Sequence, residues 1–129
     1  MKPTIVVDAN PIISALRGGY SREILFDHNF DFITTHFTLN EVERFILYVT
    51  EKAGVSVGLV ESLLKLIPLK VFEREAYKDS YLKAKSLVQD KNDADILALA
   101  LATNNPLWSN DAGFERITEI KLIKTKDFV

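Results

Sequence analysis

The sequence has no cysteine, one tryptophan, one methionine and only two histidines in 129 residues. The missing cysteine excludes disulfides, zinc–thiolate sites and thiol nucleophiles. His28 and His36 alone are too few for a multi-histidine metal site. No basic excess is present: 16 Lys and Arg stand against 18 Asp and Glu, for a net charge of −2. That balance argues mildly against a generic nucleic-acid binder. Long hydrophobic runs are also missing. The longest, Ile96 to Ala102, is too short to cross a bilayer. Lys2 and Pro3 precede a short apolar run that Asp8 breaks, which is not a signal-peptide pattern. A cytoplasmic protein with no membrane partner is expected. No repeat, linker or low-complexity segment interrupts the chain, so residues 1–129 are expected to form a single domain. That length supports a core without staples, and 47% hydrophobic and 26% charged residues are ordinary for a globular chain.

What is present alternates strand with helix. Pro3 to Val7 is apolar after Thr4, as a buried parallel strand requires. Asn10-Pro11 opens a helix to about Leu16 with proline at its first helical position, and Gly18-Gly19 ends it. Ser21 to His28 predicts a second helix with Ser21 as N-cap, and Phe32 to Thr34 a strand. Thr38-Leu39-Asn40-Glu41 has the spacing of a capping box. Its helix runs to about Lys52, with Val42, Phe45, Ile46 and Val49 on one face, and Gly54 ends it. Ser56 to Ile67 is amphipathic through Leu59, Leu63, Leu64 and Ile67, and Pro68 stops it. Leu69 to Phe72 is a strand. Glu73 to Val88 predicts a charged helix with Ala76, Tyr77, Leu82 and Leu87 towards the core. Asn92 to Thr103 is apolar on every side from Ile96 to Ala102, so it is expected to be covered on most faces. Pro106 to Ser109 is a strand, Asp111 to Ile117 a short helix, and Lys121 to Ile123 a last strand. Short β–α connections of this kind predict an α/β sandwich around a small parallel sheet of four or five strands.

Four acids fall at the ends of strands or the starts of helices: Asp8, Glu41, Asp93 and Asp111. In a parallel α/β sheet the carboxyl ends of the strands share one edge, where ligands bind. Two carboxylates about 5 Å apart repel by roughly 3 kcal/mol at an effective dielectric of about 20. Several such pairs in one cleft must take up protons or hold a cation. All-oxygen ligation suits Mg²⁺ or Mn²⁺, and such an ion with open positions is a tool of phosphoryl transfer. Setting these four aside leaves 14 acids against 16 bases, a weakly basic surface compatible with a phosphodiester.

Each acid also has a plainer explanation. Asp8 and Asp111 suit helix caps after strands. Glu41 suits the capping box, and Glu43 competes with it from another face. Asp93 and Asp95 suit the first turn of a helix through the macrodipole, with Asn92 as a candidate cap. Asp95 is a candidate for a second ion. Asp90 suits a solvated loop. Asn10 and Ser109 lie where they would orient a water or a carboxylate. Arg17, Arg22 and Arg44 are candidates for phosphate contact, though scattered arginines are more often solvated. Phe26, Phe30, Phe32, Phe37 and Trp108 fit a core better than a base-stacking platform. An acid after the first strand also opens receiver domains and haloacid-dehalogenase phosphatases. The first wants an acidic pair near Asp8, and the second an aspartate where Asn10 stands.

Taken in order, the opening Val7-Asp8-Ala9-Asn10, the Thr38-x-x-Glu41 helix entry, Asp93-Ala-x-Ile-x-Ala-x-Ala and Trp108-Ser109-Asn110-Asp111-x-x-Phe114 resemble the PIN domain. This family of metal-dependent ribonucleases includes VapC-type toxins, and the resemblance spans nearly the whole chain. It implies a Rossmann-like α/β/α sandwich with a small central parallel sheet. It also implies Mg²⁺ or Mn²⁺ held by Asp8, Glu41, Asp93 and Asp111, and hydrolysis of single-stranded RNA by an activated water. The same likeness implies an antitoxin partner and a homodimer; the apolar helices between Val42 and Ile67 would offer an interface, and read equally as a core-packed helical hairpin. Two other classes compete: a non-catalytic PIN-like module that binds RNA or protein, and a small-molecule phosphatase. Metal-dependent RNA cleavage separates the first from the enzyme, and turnover of a phosphomonoester marks the second.

Overall fold

The computed structural model describes residues 2–128, excepting the side chains of Val49, Lys52 and Ala53. Val49, expected on the inner face of its helix, therefore lies outside the described side chains. Five parallel strands form one sheet: β1 (Thr4–Val7), β2 (Asp31–Thr35), β3 (Leu69–Phe72), β4 (Leu107–Trp108) and β5 (Leu122–Ile123), in the order β3-β2-β1-β4-β5. Six helices flank it: α1 (Ala9–Leu16), α2 (Ser21–Leu25), α3 (His36–Ala53), α4 (Val57–Leu66), α5 (Lys78–Leu87) and α6 (Ala94–Thr103). This is the expected PIN-like α/β/α arrangement, with the upper of the two strand numbers. Among the described residues no helix is long and apolar enough to cross a membrane.

Pleating divides the core in two. Ile5, Val7, Phe32 and Trp108 face α1, α2 and α3, where they meet Ile12, Ala15, Leu25, Val42 and Ile46. Val6, Ile33 and Leu107 point the other way, onto α5 and α6. Alternate residues of each strand thus serve opposite layers. Helix α6 explains its own sequence: all residues from Ala94 to Ala100 are buried. Burying side chains such as Leu97 and Leu99 stabilises by about 1.5–3 kcal/mol each. The helix ends at Asn104, whose left-handed φ of 54° is tolerated by asparagine. Gly54 ends α3 in the same way, at φ 68°.

Several local expectations change. Helix α3 begins two residues before the expected cap, because Thr35 is the N-cap and its hydroxyl accepts from the Thr38 N–H at 2.9 Å. Glu41 therefore lies in the second turn and takes no part in a capping box. Ser21 is not a cap either; its hydroxyl donates to the Pro11 carbonyl at 2.8 Å, and α2 is short. The expected helix from Glu73 to Val88 is two pieces, a 3₁₀ turn Arg74–Ala76 and α5. It breaks at Tyr77, which is buried. Leu82, expected inward, is 78% exposed, and Leu59 on α4 is 66% exposed. Asp111 begins a 3₁₀ turn, Ala112–Phe114, rather than a helix, and a further 3₁₀ turn, Thr125–Phe128, closes the described chain. Phe32 and Trp108 are buried as expected, whereas Phe26 is 37% exposed.

Candidate metal-binding acidic edge

The strand order reverses direction at β1. From it the chain moves to β2 on one side and later returns to β4 on the other. In open parallel sheets such a switch point leaves a crevice beyond the carboxyl ends of the strands. Asp8 leaves β1 on one side of this crevice. Ser109, Asn110 and Asp111 leave β4 on the other.

The two sides are bonded across the crevice. The Ser109 hydroxyl donates to Asp8 Oδ2 at 2.7 Å and accepts from the Asp111 N–H at 3.0 Å. Asn10 Nδ2 also reaches that hydroxyl at 3.5 Å, and the Asn110 N–H donates to Asn10 Oδ1 at 3.2 Å. Asp8 is the N-cap of α1 and accepts from the Ala9 N–H at 2.8 Å. Asp111 Oδ1 accepts from the Gly113 N–H at 2.9 Å. Both acids thus have the capping roles their positions suggested. Each keeps lone pairs to spare, since a carboxylate offers about four acceptor sites.

Glu41 and Asp93 have no such role. Asp93 precedes α6 without capping it, and Asp90 accepts from the Asn92 N–H in its place. No hydrogen bond engages the Glu41 or Asp93 carboxylate among the described residues. Burial pushes both carboxyls up, to about 7, and the charge of Asp8 adds to each. Asp111 presses further on Asp93, and Asp93 on Glu41. Asp8 is raised as well, first by burial and last by Asp111, against the lowering bonds from Ser109 and Ala9. The four acids thus lie within reach of one another's charge.

One neighbour was not legible in the sequence: the charge of Asp90, which looked like a plain loop acid, raises both Glu41 and Asp93, while Arg44, a candidate for phosphate contact, lowers Glu41. Of the other arginines, Arg22 is engaged elsewhere: its Nε donates to the Ala15 carbonyl at 2.8 Å at the end of α1. Asp95 stands apart from the cluster. It is 1% exposed, and Arg74 takes its two oxygens at 2.9 and 3.0 Å while the Tyr77 hydroxyl donates to one of them. Those partners occupy the carboxylate that was a candidate for a second ion.

By their chemistry these donors suit a hard divalent cation: carboxylates, two of them without hydrogen bonds among the described residues, on a partly desolvated edge. Among the described residues no three acidic or histidine side chains stand, as placed, in a ready-made ligation group. Charge, and not a preformed cage, marks the edge.

The sequence pattern of the PIN domain matches residues 6–122. The chain belongs to the PIN domain family. PIN domains are generally nucleases that depend on divalent metal. No curated protein matches the sequence. Solved structures do match the fold. VapBC2 from Rickettsia felis, bound to a DNA fragment from its promoter, has a TM-score of 0.67 at 20% identity, covering 94% of this chain and 98% of that one. VapBC-1 from nontypeable Haemophilus influenzae gives 0.65 at 19% identity, with 94% and 97% covered. PAE2754 from Pyrobaculum aerophilum gives 0.68 at 13% identity, with 98% and 86% covered. At these identities the PIN fold is what the structures share with this chain.

Burial of the acids at this PIN edge, together with the charges beside them, has a consequence for stability. Glu41 and Asp93 have folded-state pKa values near 7, above their ordinary 4.5 and 3.8. Between about pH 4 and 7 the folded chain holds protons that the unfolded chain has lost, so stability falls as pH rises through that window. In EDTA, the melting temperature is expected to be higher at pH 5 than at pH 8. Asp93→Asn is expected to flatten this difference. A wild-type melting temperature that rises steadily from pH 5 to 8 would show that the folded edge does not retain these protons.

Proposed function

We propose that this PIN domain is a metal-dependent endoribonuclease that hydrolyses single-stranded RNA, and that it is the toxin of a toxin–antitoxin pair. The observation that carries the reading is the bonded junction of Asp8, Ser109 and Asp111 at the ends of β1 and β4, beside Glu41 and Asp93, whose carboxyls make no hydrogen bond among the described residues and are raised by burial and by the neighbouring acids. The family's general activity supports the nuclease. The VapBC structures that share the fold support the toxin role and an antitoxin partner. A cytoplasmic setting suits both.

On this reading Asp8, Glu41, Asp93 and Asp111 hold Mg²⁺ or Mn²⁺. The bound ion supplies a water of lowered pKa and a counter-charge for the scissile phosphate. The chain's own side chains fix where this occurs. The Ser109 hydroxyl holds the Asp8 carboxylate, and Asn10 links that hydroxyl to the loop after β4. Loading the edge drives protons off Glu41 and Asp93, because ligands must be deprotonated. Affinity for Mn²⁺ should therefore weaken as pH falls below about 7. Attack of water at phosphorus leaves a 5′-phosphate and a 3′-hydroxyl and needs no ribose 2′-hydroxyl. A homodimer through α3 and α4 accords with Leu47, Leu59 and Leu66, which are 58%, 66% and 70% exposed.

The test is an RNA cleavage assay with and without Mn²⁺, with product ends mapped. Cleavage is expected only with the metal, with 5′-phosphate ends, and with retention at a 2′-deoxy site. Cyclic-phosphate products or full activity in EDTA would overturn the mechanism. Mn²⁺ binding and RNA binding without any cut would turn the reading towards a binding module.

A further inference from the structure

Asn110 is exposed on the loop between Ser109 and Asp111, yet both ends of its amide are engaged. Its Nδ2 donates to Thr125 Oγ1 at 2.9 Å, and its Oδ1 accepts from the Thr125 N–H at 2.9 Å. Thr125 Oγ1 accepts again from Trp108 Nε1 at 3.0 Å. Three residues on, the Phe128 ring lies 4.8 Å from that of Trp108. The 3₁₀ turn Thr125–Phe128 is thus bonded to Trp108 and Asn110, on either side of Ser109. In the opposite direction the Asn110 N–H reaches Asn10, and Ser109 reaches Asp8. Asn110 is the bridge between the closing turn of the chain and the acid edge.

The strand itself does not need this bridge. Leu107 N–H donates to the Lys121 carbonyl at 2.9 Å and Ser109 N–H to the Ile123 carbonyl at 3.0 Å. These bonds keep β4 on β5 without any side chain. What the bridge adds is a fixed direction for the peptide that leads from Ser109 into Asp111. A two-bond amide contact allows much less rotation than one bond. The carboxylates at its end must act together on one ion, and partners behind a metal ligand hold its orientation.

We propose that Asn110 and Thr125 are positioning residues that set how tightly the acidic edge takes a divalent cation. The inference rests on the reading of that edge as a metal site. Thr125→Val keeps the side-chain volume and removes the hydroxyl. Asn110→Ala removes the bridge at an exposed position and leaves the Trp108 bond to Thr125 in place. Thr125→Ser retains the hydroxyl and serves as the rescue.

The test is calorimetric titration of the full chain with Mn²⁺ alone, alongside RNA cleavage and amide hydrogen exchange of the metal-free protein. Both disabling variants are expected to weaken Mn²⁺ binding about tenfold, the lower end of what partners behind a ligand command. They should lower kcat with KM unchanged and speed exchange at Asp111 and Gly113. Thr125→Ser should restore wild-type values. If the wild type binds Mn²⁺ and cuts RNA while the disabling variants match it in Mn²⁺ affinity, the positioning role is overturned and the site reading stands. Lower melting temperatures with unchanged affinity would mark the bridge as structural, and equal weakening by Thr125→Ser would mark the threonine's shape as the cause; either result overturns the proposal. A wild type that neither binds Mn²⁺ nor cuts RNA would overturn the site reading and this inference together.

Discussion

Asp93→Asn is expected to lower metal-dependent RNA cleavage about a thousandfold while leaving the circular dichroism spectrum unchanged. The asymmetry comes from what the carboxylate does and does not touch. It makes no hydrogen bond among the described residues and caps no helix, so the fold loses no contact. In the metal-free protein its charge is a burden, since burial, Asp8, Asp111 and Asp90 all work against it. The variant should therefore melt no lower than wild type in EDTA. The proposed reaction loses a charge needed to hold the cation. Removing about 4 kcal/mol of transition-state charge stabilisation corresponds to roughly a thousandfold in rate. Asp8→Asn should be as inactive, but should melt lower in EDTA than Asp93→Asn, because the Asp8 carboxylate also accepts from Ser109 and Ala9. The decisive comparison is kcat/KM with Mn²⁺ against the melting temperature in EDTA. Wild-type cleavage by Asp93→Asn would remove that residue from the site. A large melting loss in EDTA would make it a structural acid.

The fold was legible because its signals are local and strong. Continuous apolar strands, proline and glycine stops, and an all-apolar helix at Ile96 to Ala102 follow directly from the sequence pattern. The boundaries that shifted did so for tertiary reasons. Thr35 and Thr38 both offer a capping hydroxyl, and only the path of the chain leaving β2 selects Thr35. Tyr77 is buried as the helical pattern expects, but its backbone leaves helical geometry, at φ −128° and ψ 16°, and the expected helix breaks there. At the acidic edge, sequence order alone aligned Asp8, Glu41, Asp93 and Asp111. It ranked Asp93 with the four and kept Asp95 as a candidate for a second ion, without showing what engages either of these two acids of one helical entry. Their difference lies in long-range partners, Arg74 and Tyr77 for one and other carboxylates for the other. Asn110 was passed over for the same reason: its partner Thr125 is fifteen residues away in a turn that no periodicity announces.

Arg74→Ala is expected to be the most destabilising of the changes considered, and to leave metal binding intact. Asp95 is 1% exposed, and the Arg74 guanidinium makes both of its ionic hydrogen bonds. The same guanidinium lies 4.7 Å from the centre of the Tyr81 ring on α5, so one side chain ties the turn after β3 to α5 and α6. Without it the carboxylate remains buried with Tyr77 as its only side-chain partner among the described residues. Breaking a fully buried pair from one side costs about 3–5 kcal/mol. Arg74 is 55% exposed, so solvent screens part of the pair, and about 2–3 kcal/mol is a better expectation. For a chain of this size that lowers the melting temperature by roughly 8–12 °C. Adding Asp95→Asn to Arg74→Ala removes the stranded charge and should recover part of the loss, so the double variant should melt higher than Arg74→Ala alone. The same variants settle the role of Asp95. As a structural acid, its replacement in the single variant Asp95→Asn leaves the Mn²⁺ affinity of the folded protein at the wild-type value. As an ion ligand, its replacement weakens that affinity. An undiminished melting temperature for Arg74→Ala would show that the ion pair contributes nothing to the fold.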